Sequence, residues 1–424
     1  MKHTTKILTT IVIIATTFSS CLKDVGKRSY QVYTPIIEQT SSLRSKVKSS
    51  TPISVSNAGK LFIIGNYIFL NEKNKGIHVI DNTNPSSPIN LSFIVIPGCN
   101  DMAVEGNVLY ADCYTDLLTI DITNPTNVVV KNFIDDIFSD RRYINGYSTA
   151  AGNVVVDWTV KDTTMDVEIT EGQGIWTNNK YISNGGWAGG GGQVFTLGGS
   201  SASSSSTTGK AGSMSRFALV NNYLYAVTNS TLNSINISNA TAPVVAAKQS
   251  IGWNIETIYP FKDKLFIGSQ SGMSIFNISN PANPIYVSGF SHARLCDPVI
   301  ADDNYAYITL HASDNVCVGT QNELDIVNIQ NLSNPTLVKQ VNLTKPQGLS
   351  KDGNILFVCD DNAGIRVFNA TNPENPILTQ TIALTASYDI ICNNGIAIVS
   401  AKNGIHQYNY NNPNNVVKLS SFSY

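Results

Sequence analysis

The stretch that decides the fold is GIHVIDNTNPSSPI, from Gly76 to Ile89. It contains an apolar strand, an Asp or Asn anchor, a turn built around Asn-Pro, and a second apolar run. Similar phrases begin at Gly76, Leu117, Leu232, Gly272, Leu324, Gly364 and Gly404. Most successive phrases lie about 40 residues apart, and self-similarity at such a period marks an array of like supersecondary units.

The Asp or Asn anchors of these phrases have a mechanical explanation. They are Asp81, Asp121, Asn236, Asn277, Asn328, Asn369 and Asn409. An Asx side chain accepts a hydrogen bond from the backbone two residues on, and proline fixes φ at a turn. We therefore expect the anchors to shape the link between two strands rather than to bind calcium, since the ligand spacing of an EF-type loop is absent.

Each unit has the pattern of four short strands, because runs rich in β-branched and aromatic residues alternate with Gly, Asn, Asp and Pro. Four strands in about 40 residues, repeated radially, fit a blade of a β-propeller. The long step from Asp121 to Asn236 leaves room for one further copy, for which Gly152–Trp158 and Asp166–Ile169 supply strand-like runs. The sequence predicts an all-β propeller with eight four-stranded blades, or with seven if this third unit is only an insertion.

The strands IHVID, LTIDI and LDIVN resemble the repeat that names the LVIVD family of bacterial β-propeller proteins. The resemblance covers the chain from about Lys60 to Tyr424. The stretches NKGIHVIDNTNP and GSMSRF are similar to lipoproteins of Bacteroides-like bacteria that carry this repeat. The resemblance implies a propeller of the cell envelope and brings no catalytic residues with it.

The N-terminus has the pattern of a bacterial lipoprotein signal peptide. Lys2 and Lys6 precede an apolar core at residues 7–15 that is too short to span a bilayer, and FSSC at residues 18–21 resembles a lipobox. Cleavage before Cys21 leaves a cysteine that takes more than one acyl chain, which gives stable anchoring. A simple secretory peptide with a free Cys21 is the alternative.

The expected organisation follows from this N-terminus. We expect a lipid on Cys21 to hold the protein at the outer membrane or the cell surface. The expected segments are a signal peptide at 1–20, a polar tether at 21–52 and a propeller at 53–424, with a flexible Gly/Ser-rich insertion at 185–213.

Charge and motifs argue against several classes of partner. Only 14% of residues are charged, and removal of Lys2 and Lys6 takes the formal net charge from −2 to −4, so no basic field exists to attract nucleic acid. The TGKA stretch at 208–211 lacks the first glycine of a P-loop and the Ser or Thr after its lysine, and no CxxC pair occurs. We predict no nucleic-acid partner, no cofactor, no metal and no catalytic residues.

Six of the seven cysteines are left after Cys21, and an even number can pair outside the cytoplasm. The candidate disulfides are Cys99 with Cys113, Cys296 with Cys317, and Cys359 with Cys392. The first pair flanks the turn at residues 105–107 at equal distances, the second flanks another hairpin, and the third is left by elimination. Free buried thiols are the alternative.

A ring of residues at the mouth of the central channel is the candidate ligand site. Alignment of the units on the turn between their first two strands brings one residue of each unit to the same level. The aligned residues are Lys60, Asp101, Tyr147, Arg216, Thr257, Pro298, Gly348 and Asp389, with Glu256, Asp297 and Gln347 one residue earlier. The candidates chosen from them are Lys60, Asp101, Tyr147, Arg216, Glu256, Asp297, Gln347 and Asp389. Mixed charges there either bind a polar ligand or pair with one another in a hydrated channel.

Three hypotheses about function follow. A surface-anchored module that binds a protein or a glycan comes first, because loops on a rigid disc suit recognition. The alternatives are a polysaccharide-active enzyme that uses an acidic channel mouth and an envelope scaffold without a soluble ligand. A glycosidase would depend on two of Asp101, Glu256, Asp297 and Asp389.

Overall fold

The structure is a computed structural model, and it describes residues 25–168, 175–177, 180–183, 209–292, 298–312 and 321–423. The elements of the first half are, in chain order, β1 (Val25–Gln39), helix α1 (Thr40–Arg44), β2 (Lys48–Ser50), β3 (Ala58–Ile64), β4 (Tyr67–Glu72), β5 (Gly76–Asp81), β6 (Ile89–Val95), β7 (Met102–Glu105), β8 (Val108–Cys113), β9 (Asp116–Asp121), β10 (Val129–Ile134), a 3-10 helix (Ser139–Arg142), β11 (Tyr143–Ile144), β12 (Tyr147–Ser148), β13 (Asn153–Glu168), β14 (Ile175–Thr177), β15 (Lys180–Ser183) and β16 (Lys210–Ala211).

The second half consists of strands alone in its described part. They are β17 (Phe217–Val220), β18 (Tyr223–Val227), β19 (Thr231–Asn236), β20 (Val244–Ser250), β21 (Ile255–Phe261), β22 (Lys264–Ser269), β23 (Gly272–Asn277), β24 (Ile285–Ser291), β25 (Val299–Ala301), β26 (Tyr305–Leu310), β27 (Glu323–Asn328), β28 (Thr336–Asn342), β29 (Leu349–Asp352), β30 (Ile355–Cys359), β31 (Ile365–Asn369), β32 (Ile377–Ile382), β33 (Ser387–Asn393), β34 (Ile396–Ala401), β35 (Gly404–Asn409) and β36 (Val417–Ser423).

The described residues form seven blades of four consecutive antiparallel strands, which confirms the propeller with the smaller of the two blade counts. The blades are β3–β6, β7–β10, β17–β20, β21–β24, β25–β28, β29–β32 and β33–β36. The first strand of each blade contacts the first strands of both neighbouring blades, from β3 through β33 and back to β3. These seven inner strands therefore surround a central channel.

The third unit, which the sequence favoured as an eighth blade, forms a different structure. The runs from Gly152 to Trp158 and from Asp166 onward fall mostly within the single strand β13, which belongs to a separate sheet of order β13-β1-β15-β14. In that sheet β1 and β15 are antiparallel, with Val32 opposite Ile182. The chain accordingly divides into two compact units, residues 1–37 with 155–192, and residues 38–154 with 193–424.

The segment expected to be a tether, residues 21–52, is structured in its described part from residue 25. It contains β1, α1 and β2. Strand β2 pairs with the outer strand β6 of the first blade, and Arg44 of α1 forms ion pairs with Asp116 and Asp135 of the second blade unit. Its polar composition did not reveal these partners, because they lie far away in sequence. The signal peptide, residues 1–20, and Cys21 lie outside the described residues.

The anchors work as the sequence predicts in all seven phrases. The side-chain oxygen of each anchor accepts a hydrogen bond from the backbone N–H two residues on, at 2.7 to 3.0 Å. A second Asn three residues after each anchor does the same at 3.1 to 3.3 Å. Two consecutive Asx bonds therefore fix each link between third and fourth strands.

A further backbone bond in every blade ties this link to the turn between the first two strands. In the first blade the Asn82 N–H donates to the Asn66 carbonyl, and the equivalent bonds span 2.7 to 2.9 Å. All these turns therefore lie at one end of the strands, which we name the Asx–Pro face (residues 65–66, 82–88 and their equivalents). The opposite end carries the loops between second and third strands and the links between blades, and we name it the connection face.

The apolar core lies between neighbouring blades. Apolar contacts also join the two ends of the ring. Ile68 and Leu70 of the first blade share a buried cluster with Ile391 and Ile398 of the last blade. At about 25 cal/mol for each Å² of apolar surface buried, such clusters between blades are the main stabilising contribution.

Candidate functional site

The channel is filled by the chain itself. Residues Gly209–Ser215, which we call the plug, run through it immediately before β17 enters the third blade. Within the plug, β16 pairs with the inner strand β3, with Lys210 opposite Ile63 and Ala211 opposite Phe62. The residues from Ala211 to Ser215 are all buried. The predicted flexible insertion, residues 185–213, thus ends in an ordered segment, and its residues before 209 lie outside the described part.

The plug contacts the inner strands of several blades. The Gly212 N–H donates to the Leu61 carbonyl at 3.2 Å, and the Gly209 N–H donates to the Val104 carbonyl. On other sides of the channel, Leu349 N–H donates to Ser213 Oγ at 2.6 Å and Ile258 N–H donates to the Ser215 carbonyl at 2.9 Å. The inner strands approach the plug so closely that a Cβ atom has no room at Gly209 or Gly212.

Four of the predicted ring residues, Lys60, Asp101, Arg216 and Asp389, lie buried around the plug. Lys60 forms an ion pair with Asp101, whose carboxylate also accepts hydrogen bonds from Ser215 Oγ and from the Arg216 N–H. Arg216 donates from Nη2 to the Ile255 carbonyl at 3.1 Å. Lys60 and Asp101 are therefore paired with each other, and Arg216 is bonded to a backbone carbonyl.

Burial shifts the pKa values of these groups. It lowers the pKa of Lys60 to about 8, although the neighbouring Asp101 opposes the change. It also lowers the pKa of Arg216 to about 10. Burial raises the pKa of the Asp389 carboxyl to about 7, against the hydrogen bonds from Ile390 and Ser213. A carboxyl of this kind can gain or lose a proton near neutral pH.

The other ring candidates have different positions. Gln347 is buried, and its carbonyl accepts a hydrogen bond from Thr309 Oγ1 at 2.6 Å. Glu256 is half-buried on β21 and accepts a hydrogen bond from Gln270. Tyr147 lies on β12 of a small hairpin rather than on an inner strand. Asp297 lies outside the described residues.

Sequence reasoning missed a second charged layer near the channel. Arg141 of the 3-10 helix pairs with Asp112, whose carboxylate also accepts the N–H groups of Asn100 and Asp101 at 2.8 Å. Asp140 of the same helix accepts the Asn229 N–H. The sequence gave only a weak indication of this layer. The run SDRR at 139–142 places three charged residues together in a chain with few charged residues.

The four described cysteines of the predicted pairs, Cys99, Cys113, Cys359 and Cys392, are free and buried in the structure. The expected bridge across the first hairpin assumed a three-residue turn. Instead, Glu105 pairs with Val108 and Met102 with Ala111, so that Cys99 falls one residue out of step with Cys113. A slip of one residue turns side chains to opposite faces of a sheet. Cys296 and Cys317 lie outside the described residues.

Two aromatic side chains stand out on the connection side of the disc. Trp253 lies in the link between the third and fourth blades and is 76% exposed, while Tyr143 of β11 is 65% exposed. Trp and Tyr are enriched among the residues that dominate binding energy, so these two exposed side chains are candidate contact residues. Among the described residues, no group of His, Cys, Asp and Glu is arranged to hold a metal ion, and no helix is long and apolar enough to cross a membrane.

The family model of the LVIVD repeat matches residues 56–95, 99–136, 264–291 and 296–343. These segments fall on the first, second, fourth and fifth blades of the propeller. The chain carries LVIVD repeats. No curated protein matches it.

Several solved structures are similar in shape at low sequence identity. A computationally designed protein, Ika8, is 8% identical with a TM-score of 0.49, over 85% of this chain and 86% of its own. A functionally unknown protein from Desulfotomaculum acetoxidans is 13% identical with a TM-score of 0.46, over 85% and 95% of the two chains. BamB from Moraxella catarrhalis is 8% identical with a TM-score of 0.47, over 88% and 96%.

Proposed function

We propose that this LVIVD-repeat propeller is an interaction module of the cell envelope that binds a protein or a glycan on its connection face. The difference between its two faces carries the proposal. All seven links between third and fourth strands have the same length and the same pair of Asx bonds, so the Asx–Pro face repeats one structural turn in every blade.

The connection face varies from blade to blade. The loop between Cys113 and Asp116 is short, whereas Leu310 and Glu323 are separated by a long one. The links between blades differ in the same way, and one of them holds the hairpin β11–β12. Variable loops on a rigid scaffold are where proteins place recognition.

Tyr143 and Trp253 are the contact residues that we select on this face. Aromatic side chains supply large apolar contact area at low entropic cost, and Trp and Tyr are enriched among the residues that dominate binding energy. The channel ring supports a site less well, because Lys60 and Asp101 pair with each other and the plug covers the ring. A substrate of the alternative enzyme would have to displace the plug before it reached Asp101 or Asp389.

The proposed anchor is a lipid on Cys21, with the protein at the outer membrane or the cell surface. Support comes from the positive start, the short apolar core and the FSSC stretch of the N-terminus. Metabolic labelling with a palmitate analogue and membrane fractionation test it. We expect the intact protein to take up label and sediment with membranes, and Cys21→Ala to do neither. Equal sedimentation of Cys21→Ala and the intact protein would contradict the anchor.

The ligand is identified by crosslinking in intact cells that carry a tagged copy, followed by purification and mass spectrometry. We expect a reproducible protein or glycan partner whose crosslinks fall on loops of the connection face. Crosslinks confined to residues of the Asx–Pro face would contradict the choice of face.

A further inference from the structure

Segments from separate blades meet around Trp253 on the connection face. Asp140 Oδ2 of the 3-10 helix accepts the N–H of Asn229, in the loop between β18 and β19, at 3.1 Å. The Asn229 carbonyl accepts the N–H of Ile255, two residues after Trp253, at 3.1 Å. The link from the second to the third blade, a loop of the third blade and the link to the fourth blade therefore form one continuous surface.

The fourth blade completes this surface with the loop between β22 and β23. The Gln270 N–H donates to the Asn254 carbonyl at 3.1 Å, and Gln270 Nε2 donates to Glu256 Oε1 at 3.0 Å. The main chain directly after Trp253 is thus fixed by hydrogen bonds, so its ring is presented from an ordered link. We name the joined segments the Trp253 patch (residues 139–143, 228–231, 251–256 and 269–271).

The aromatic side chains of the Trp253 patch stand among small polar ones. Trp253 and Tyr143 are its exposed large hydrophobic residues. Asn and Gln amides both donate and accept hydrogen bonds, and a Ser hydroxyl does the same. The half-buried or exposed residues of this kind in the patch are Asn229, Ser230, Asn254, Ser269, Gln270 and Ser271.

This composition suits a sugar better than a protein surface. A specific protein interface buries about 800 Å² of each partner around an apolar core, whereas the patch exposes only two large apolar side chains. A sugar ring has a face of C–H groups that stacks on an indole, and hydroxyl groups at its edge that donate and accept hydrogen bonds. Trp253 supplies the stacking surface, and the amides and hydroxyls around it supply partners for the sugar hydroxyls.

The cations of the patch already have carboxylate partners. Arg141 forms an ion pair with Asp112. Arg142 Nη2 lies 3.2 Å from Asp136 Oδ2. An acidic glycan would therefore find no unpaired cation on the patch, and a neutral one has no need of it.

We propose that the Trp253 patch binds a neutral glycan, whose sugar ring stacks on Trp253 and whose hydroxyl groups bond to the amide and hydroxyl side chains around it. This ligand class rests on the proposed function and narrows it. A protein partner on the connection face would leave the interaction module standing and remove only the glycan.

Binding to treated cell envelopes separates a glycan from a protein ligand. The chain from residue 21 onward, with Cys21→Ala so that no lipid anchors it, is purified, labelled and mixed with envelopes of the cells that make it. One envelope sample is treated with periodate, which cleaves the vicinal diols of sugar rings, and another with proteinase K. We expect periodate to abolish binding and proteinase K to leave it unchanged. Binding should also be equal at low and high salt, since a neutral ligand is not screened.

Matched variants connect this binding to the patch. Trp253→Ala should weaken binding by about tenfold or more, as expected for an aromatic residue that dominates binding energy. Trp253→Phe keeps a ring for stacking and should lose less. Tyr286→Ala removes an aromatic side chain that is 57% exposed on the outer strand β24, and it should bind as the intact protein does. Equal melting temperatures of Trp253→Ala and Tyr286→Ala show that neither change acts through the fold.

The outcomes distinguish failure of the glycan from failure of the module. Binding that survives periodate would overturn the glycan, and its loss to proteinase K alone would leave a protein-binding module. Loss after both treatments supports a glycan carried on a protein if the released glycopeptides compete for binding, and overturns the proposal if they do not. Full binding by Trp253→Ala would overturn the patch. Failure of the intact protein to bind untreated envelopes would contradict the proposed function itself.

Discussion

Gln407 of the last blade and Asn82 of the first exchange two amide hydrogen bonds across the seam that closes the ring. Gln407 Nε2 donates to Asn82 Oδ1 at 2.6 Å, and Asn82 Nδ2 donates to Gln407 Oε1 at 3.0 Å. Ser420 Oγ adds a bond to the Pro85 carbonyl nearby. Each blade consists of consecutive strands, so side chains rather than a shared sheet join the two ends of the ring.

Gln407→Ala should destabilise the protein, because it leaves the amide of Asn82 without its partner at the seam. We expect a loss of about 1–3 kcal/mol in the free energy of unfolding, measured by urea denaturation. Lys402→Ala, at an exposed position of the same blade, is the control and should change little. Equal stability of the two variants would show that the apolar cluster closes the ring alone.

Asn277→Ala should weaken one turn of the Asx–Pro face, because the Ser279 N–H loses its acceptor at 2.7 Å. The expected cost is about 0.5–1.5 kcal/mol. Asn277→Asp keeps the acceptor, as Asp81 and Asp121 do in their own blades, and should be close to neutral. A cost for Asp as large as that for Ala would mean that the amide group itself is needed.

Lys60→Met should destabilise the propeller strongly, because it leaves Asp101 as a buried carboxylate without its ion-pair partner. Removal of one partner of a buried pair costs about 3–5 kcal/mol. Lys262→Met removes an exposed pair with Asp303 and should cost less than about 1 kcal/mol. Similar melting temperatures for these two variants would contradict the buried position of Lys60.

The stability of the intact protein should also depend on Lys60 at alkaline pH. Its pKa is lowered to about 8 by burial, so the unfolded chain binds this proton more tightly than the folded one. The contribution of Lys60 to stability therefore rises with pH between about 8 and 10.5. Urea denaturation across this range should show the rise in the intact protein and its absence in Lys60→Met. The same profile in both would assign the effect to another group.

The described cysteines should be inert in the folded protein and reactive after unfolding. Burial raises the pKa of Cys113 and Cys392 to about 12, and only the thiolate reacts with iodoacetamide. Peptide-level mass spectrometry should find Cys99, Cys113, Cys359 and Cys392 labelled in denaturant without reductant. Labelling only after reduction would contradict free thiols and support the disulfides that the sequence predicted.

Local features of the fold were predictable from sequence, and long-range pairings were not. The anchors such as Asp81 accept a hydrogen bond from the backbone two positions on, so their role can be predicted from the local sequence alone. The alignment also brought Lys60, Asp101 and Asp389 to one ring, because each inner strand has a fixed offset from its turn. By contrast, β13 pairs with β1 across more than a hundred residues, and this pairing removed the expected eighth blade.

The plug shows the same limit. The composition of residues 185–213 predicted a segment that cannot bury enough apolar surface to fold alone. The small residues of this segment are what allow Gly212 and Ser213 to fit between the inner strands and against Asp389. The composition of a segment indicates whether it can form a core of its own. It does not indicate whether distant parts of the chain form a channel into which the segment packs.

The most direct test of the proposed interaction module compares crosslinking yields of tagged variants in intact cells. One variant combines Tyr143→Ala with Trp253→Ala on the connection face, and its control combines Val244→Ala with Ile377→Ala, which are exposed at the Asx–Pro end of outer strands. We predict that the first variant loses its partner by about tenfold or more, as expected when residues that dominate binding are truncated. We predict that the control keeps the yield of the intact protein. A partner that survives the first variant and is lost in the second would contradict the account.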